Sequence, residues 1–388
     1  MQENKIFQQD KVITISFAHF VHDVYTSFLA PILPLLIVKF SLSFSFVSFL
    51  TVIQRVPSLF NPIVGYFSDN FPIRYVLIAI PALSAIMMSF LGLMPSVSLI
   101  VILLLASGIG ASLFHVPAPI MVKHVSGNRI GKGMSYFMLG GEIARSLGPL
   151  YILGGISLWG LEGTYRLLPL GLLASLMLYF KFRNIPIAGE LKKKEKETGA
   201  IKALKKHLQL FVTIGGIFFF TSLVKGSLTT FLPTYMTENG SSLWIAGIAL
   251  SIVQFAGAAG TLFSGTISDK IGRRFTLMIM ACTTPFLLLL FAFFSQTIFA
   301  IPILILIGFI MFATTPVLLA EINIIKSEHS GLLNGVFMTL NFASGALAML
   351  LIGVFGDLFG LKTTYIIAAL ISFISILFIT RLPKTKIE

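Results

Sequence analysis

Gly265-Thr266-Ile267-Ser268-Asp269-Lys270-Ile271-Gly272-Arg273-Arg274 is a short polar turn between two long apolar stretches, and its opening echoes Gly65-Tyr66-Phe67-Ser68-Asp69, 200 positions earlier. The register holds elsewhere. Gly308 follows Gly108, Gly331 follows Gly131, and Pro233 falls one residue from the position matching Pro34. Single glycines coincide by chance in apolar sequence, but a register shared at several sites points to a chain built from two copies of one unit.

Outward from that turn the sequence is overwhelmingly apolar. Hydrophobic residues make up 56% and charged residues 11%, with a mean hydropathy of +0.94, more than a soluble domain can hide in a core. A helix needs roughly 20 mostly apolar residues to cross the ~30 Å hydrocarbon layer. Twelve stretches meet that need: 12–38, 44–67, 73–93, 97–123, 131–156, 163–182, 208–236, 242–267, 274–295, 298–322, 331–355 and 361–381. The longest hydrophilic run, Arg183 to His207, leaves six of them on each side. The expected architecture is an all-α membrane protein with an N-terminal six-helix bundle over 1–183, a cytoplasmic basic linker over 184–207 and a C-terminal six-helix bundle over 208–388. The linker is expected to lie on the anionic inner leaflet, which attracts its lysines.

The net charge of +13 would suit a nucleic-acid partner, but the basic residues sort by side of the membrane instead. With the N-terminus inside, 22 of the 28 Lys and Arg fall in cytoplasmic segments, and Lys39, Arg166 and Lys362 alone fall outside. The positive-inside rule therefore places both termini in the cytoplasm of a cell inner (plasma) membrane protein. Cys282 is the single cysteine and lies in an apolar span, so no disulfide or cysteine-based metal site is expected. The first span carries His19, His22 and Asp23 and no small-residue cleavage site, so it is expected to stay as helix 1.

The opening turn resembles the major facilitator signature: glycine, three residues, aspartate, a basic residue, any residue, glycine, then basic residues. That resemblance implies two parallel six-helix repeats rocking about a central site. It also implies a conformational latch at the inner face, in which glycines let helices approach closely and Asp269 meets the positive start of a neighbouring helix. Gly265, Asp269, Gly272 and Arg273 carry it in the second half, with Glu321 as a partner for Arg273. The first copy is degenerate: Gly65 and Asp69 remain, but Asn70, Pro72 and Ile73 stand at the basic and glycine positions and leave Arg74 alone.

Gly140-Gly141, Gly148-Pro149 and Gly154-Gly155 resemble the glycine-proline signature of drug-proton antiporters, while close helix packing explains the same glycines equally well. Leu104 stands where those antiporters carry an arginine. More narrowly, His19-Phe20-Val21-His22-Asp23, Gly65-Tyr66, Phe114-His115 and Ser146-Leu147-Gly148-Pro149 resemble the fosmidomycin-resistance branch. The chain departs from it at Val116, which precedes Pro117, and at the charged Glu142 and Arg145.

A charge at the bilayer centre costs about 2.5–3.5 kcal/mol, so such residues face a cavity or a partner and are functional candidates. Asp23, Glu142 and Glu321 balance Arg55, Arg145 and Lys225, and His19, His22 and His115 join them. Asp23 and Arg55 are both near mid-span and are expected to meet across the bundle. Desolvation and a neighbouring cation pull a buried carboxylate's proton affinity in opposite directions, which makes a proton site whose occupancy follows conformation, the alternative being a static pair that only holds the fold. Glu142 and Arg145, three apart, can pair on one helix, or Arg145 can face the cavity and bind an anion. Lys225 is a candidate substrate contact, with snorkelling as the alternative. His115 can titrate or simply bond a carbonyl.

Neither a phosphate loop, nor metal-ligand spacing, nor a nucleophile constellation occurs, so no enzyme activity, cofactor or metal is expected. The expected function is a secondary active transporter, functional as a monomer, that exports a small, anionic drug or metabolite in exchange for protons held at Asp23. Two alternatives stay open: an organic-anion uptake symporter, and a non-transporting membrane sensor. The sensor is disfavoured by the short tail, Leu382 to Glu388, after the last span.

Overall fold

The computed structural model describes residues 7–61, 64, 74–183, 204–323 and 330–382, and among them the chain is helical with no strand. Twelve membrane helices follow in order: α1 Gln9–Phe40, α2 Phe44–Phe60, α3 Tyr75–Leu93, α4 Val97–Val125, α5 Ile130–Trp159, α6 Glu162–Phe182, α7 Leu208–Glu238, α8 Leu243–Ile271, α9 Arg273–Phe294 and α10 Ala300–Ile322. The last two, α11 (330–359) and α12 (361–379), run on from one another across Gly360, whose φ of 75° breaks the helix. Eleven of the twelve expected spans coincide with a helix to within a few residues. The second, expected over 44–67, is described over 44–61 and at 64, and most of the 184–207 linker, with Gly65 and Asp69, lies outside the described residues.

Three spans that read as continuous are interrupted. α1 pauses at Ser27 and Phe28, where Pro31 offers no N–H to the preceding turn. α4 pauses at Val116, immediately before Pro117, so His115 ends a helical segment. α10 breaks at the matching place, between Met311 and Thr314.

The chain divides into one unit of residues 1–41 and 50–192 and a second of residues 42–49 and 193–388. In the first, α1 packs most extensively against α5; in the second, α7 packs most extensively against α11. The repeat extends to single contacts. A Cβ on Gly108 of α4 would strike the Gln54 carbonyl of α2, and one on Gly308 of α10 would strike the Val253 carbonyl of α8. Small residues of this kind let membrane helices meet at backbone distance, where packing rather than water expulsion holds them. Val12, Ile15, Phe114, Met121, Phe137 and Leu178 build the core of the first unit. Ile214, Phe218, Leu277, Val317, Leu333 and Phe337 build that of the second. Leu172, Phe180, Leu262 and Phe293 are left exposed, as lipid-facing positions should be.

Candidate functional site

The first unit gathers four basic groups around one carboxylate. Asp23 of α1 is buried, with 3% of its surface exposed. Its Oδ2 lies 3.4 Å from His19 Nε2 and 3.2 Å from Arg145 Nη1. Its Oδ1 lies 3.2 Å from His115 Nε2 and 3.9 Å from His22 Nε2. The side chains of His115 and Arg145 are 39% and 37% exposed, so the cluster has a dry floor and an open side.

The site exists because α5 presents glycines to α1. A Cβ on Gly141 would sit 2.6 Å from His19 Cε1 and 3.0 Å from Asp23 Oδ2, and one on Gly140 would sit 2.5 Å from the Ser16 carbonyl. Only a bare backbone lets α5 come near enough for Arg145 to reach Asp23. The packing reading of these glycines therefore has a direct geometric basis.

The hydrogen bonds fix more than position. His19 Nδ1 lies 2.7 Å from the Phe137 carbonyl, an atom that only accepts, so Nδ1 carries a hydrogen. The Nε2 facing Asp23 is then a lone pair unless the ring is doubly protonated. Two acceptors facing each other repel, so the His19–Asp23 contact is favourable only with a proton on one of them. His22 is oriented by Ser84 Oγ, 2.8 Å from its Nδ1, and its buried Nε2 has no hydrogen-bond partner among the described residues. The rings stack, His19 on Phe137 at 4.0 Å and His22 on Phe114 at 4.9 Å between centroids.

Arg145 bridges Asp23 and Glu142, donating to both. The same-helix pair expected of Glu142 and Arg145 is present, but it shares its cation with α1. The expected meeting of Asp23 and Arg55 does not occur: among the described residues Asp23 takes Arg145 instead, and the charged neighbour of Arg55 is Arg145 itself. The glycines of α5 bring Arg145, not Arg55, to α1.

In the second unit, Arg273 reaches Glu321 at 3.8 Å and Asp269 at 3.7 Å, so the three expected latch residues stand together. Asp269 also pairs with Arg273, and among the described residues no side chain caps the start of α9. Gly265 makes no close approach, because a Cβ there would meet nothing within 4 Å, whereas Gly272 adopts a φ of 88° that favours glycine. Arg74 is the first helical residue before α3. Lys225 of α7 lines a pocket within the second unit, its Nζ 4.7 Å from the Phe312 ring centroid. Sequence reasoning missed Asp357, which accepts from the backbone N–H of Phe44 at 2.6 Å and of Ser45 at 2.9 Å. A lone acid near a helix end gave no pattern to find it by.

A sequence profile described as Major Facilitator Superfamily matches residues 15–348. The chain belongs to that superfamily. Among major facilitator proteins, the fosmidomycin resistance protein of Escherichia coli (strain K12) is 27% identical over 368 residues, covering 94% of this chain and 90% of that one. The uncharacterized MFS-type transporter YfnC of Bacillus subtilis (strain 168) is 26% identical over 379 residues, 94% and 91% of the two chains. The major facilitator fold is shared with a solved variant of the nucleoside transporter NupG, at TM-score 0.81 and 14% identity over 96% and 99% of the chains. A bacterial homologue of the human lysosomal transporter Spinster, in an inward-facing and occupied conformation, matches at TM-score 0.76 and 15% identity over 96% of each. Major facilitator membership makes this a multi-pass transporter rather than an enzyme.

Proposed function

We propose that this chain is a proton-coupled secondary transporter of the inner membrane that exports a small drug or metabolite by alternating access, with both termini cytoplasmic and the monomer as the working form. One observation carries the coupling: a buried carboxylate whose contact with His19 requires a proton, opened to solvent through the half-exposed His115 and Arg145. Such a group can load and release a proton while the surrounding cations trade places. The relative named for fosmidomycin resistance supports export and makes fosmidomycin the first compound to offer.

Arg145 supports a second reading. An anion drawn to its guanidinium would loosen its hold on Asp23, and by linkage a proton would then bind Asp23 more readily. Proton and anion would bind together, as uptake by symport requires. A cargo that engages Asp23 itself would compete with the proton, as exchange requires.

Proteoliposomes carrying an internal pH dye separate these. Fosmidomycin and a panel of anionic and lipophilic compounds would be offered with and without a pH gradient. Proton flux opposite to cargo supports export, and flux in the same direction supports uptake. Cargo flux without any proton movement overturns the coupling site, and no flux with any compound overturns transport.

A further inference from the structure

The repeat carries the Asp23 cluster onto a second polar pocket, in unit two, from which every ionisable group of the original has been removed. The offset of 199 set by Pro34 and Pro233 takes His19, His22 and Asp23 to Phe218, Thr221 and Ser222. The offset of 200 set by the glycine pairs takes Ser84, His115 and Gly141 to Thr284, Thr315 and Asn341. All six of these counterparts line one pocket, together with Lys225. Where three imidazoles and a carboxylate occupy the first unit, hydroxyls and an amide here leave open space.

Three of the hydroxyls and the amide lining this pocket are uncommitted. Serine and threonine hydroxyls in membrane helices ordinarily turn back onto their own helix, as Thr221 does onto the Ile217 carbonyl at 2.7 Å. Ser222, Thr284, Thr315 and Asn341 make no side-chain hydrogen bond among the described residues. Their polar atoms stay open to the pocket, so a guest with oxygen acceptors can take up hydrogen bonds that the protein itself leaves unmade. Four neutral hydrogen-bonding groups and one ammonium, with no carboxylate among the lining residues, select against a cation. Phe218, Met280 and Met311 supply an apolar wall, and the methionines can adapt to its shape.

We propose that this pocket is a binding subsite for the oxyanion end of a small amphiphilic molecule, held by the hydroxyls of Ser222, Thr284 and Thr315, the Asn341 amide and the Lys225 ammonium. That the ligand is the cargo rests on the transport reading above; the existence and charge preference of the site do not. The two units thus present the same place in the repeat in two chemical forms.

The test uses full-length protein in detergent with Cys282→Ser, leaving Ser222→Cys as the one thiol. The probes are an anionic sulfonatoethyl and a cationic trimethylammonium-ethyl methanethiosulfonate, each rate being normalised to its reaction with free mercaptoethanol. The anionic reagent should react about tenfold faster, a difference of about 1.4 kcal/mol, and adding Lys225→Met should bring the ratio to about one. Millimolar phenylphosphonate should slow the labelling, and benzyl alcohol at equal concentration should not. Equal normalised rates, a ratio unmoved by Lys225→Met, or no labelling in monodisperse protein would each overturn the site. Thr284→Cys on the facing helix serves if Ser222→Cys does not fold. Because the readout is a reaction rate without flux, a protein that fails every transport assay can still pass.

Discussion

Replacing Gly141 with alanine tests whether the α1–α5 approach holds the proposed proton site together. The new methyl would stand 2.6 Å from His19 Cε1, 2.9 Å from His19 Nε2 and 3.0 Å from Asp23 Oδ2. Carbon contacts relax near 3.5–4.0 Å, so the imidazole or the helix must retreat by about 1 Å. If that stretches the Arg145–Asp23 contact from 3.2 Å to about 4.2 Å, the attraction at an effective dielectric of about 20 falls by about 1 kcal/mol. Screening at the partly exposed Arg145 reduces this to about 0.5–1 kcal/mol, or two- to fivefold in the coupled equilibrium. Overpacking costs about 1–3 kcal/mol of stability, of which alanine's better helix propensity offsets up to about 1 kcal/mol, a modest loss for a chain of this size. Thermal unfolding in detergent should therefore drop by only a few degrees, while proton-driven flux falls two- to fivefold. Adding His19→Ala removes the nearest atoms and should restore the unfolding temperature but not the flux. Gly141→Ala with wild-type flux at every pH and wild-type unfolding would refute the argument.

Asp23→Asn keeps shape but cannot titrate, so gradient-driven accumulation in proteoliposomes should vanish while expression holds; accumulation with the parental pH dependence would hand the role to the histidines. Arg273→Ala removes both latch contacts and should raise the labelling rate of cytoplasm-facing cavity cysteines, and an unchanged rate in inserted protein would reduce these residues to topology signals. Gly272→Ala forces an L side chain to a φ of 88° and ψ of 137°, which costs about 1–3 kcal/mol and should lower the unfolding temperature whether or not Arg273 is present. Cysteines introduced at positions 195 and 388 should react with impermeant reagents only from the cytoplasm, and reaction from the other side would overturn the proposed topology.

The spans and the repeat were legible because hydropathy and glycine register are written along the chain. Which helices touch is not. On sequence alone Asp23 is expected to meet Arg55; that it takes Arg145 instead depends on Gly140 and Gly141 admitting α5 to the backbone of α1. The latch trio was legible through its motif, yet the open surroundings of Gly265 were not, because a motif names positions without saying what surrounds them. The neutral pocket around Ser222 and Thr284 escaped notice for a different reason. Hydroxyls are common in membrane helices and usually satisfied by their own backbone, so nothing in the sequence separates an idle one from the rest.

The bridging of Arg145 also sets an order for biogenesis. α5 enters the bilayer with Glu142 and Arg145 already paired on one helix, and so nearly neutral. α1 enters first with a carboxylate that has no arginine on its own helix, and its cation lies 122 residues downstream. At a synthesis rate of about 5–20 residues per second, that partner follows roughly 6 to 25 s later. Until then α1 carries an insertion cost of about 2.5–3.5 kcal/mol, which the remaining apolar side chains of the helix must outweigh. The nascent chain is thus most exposed to quality control between the emergence of its first and fifth helices, and Asp23→Asn, whatever it does to flux, should lower the insertion cost carried through that interval.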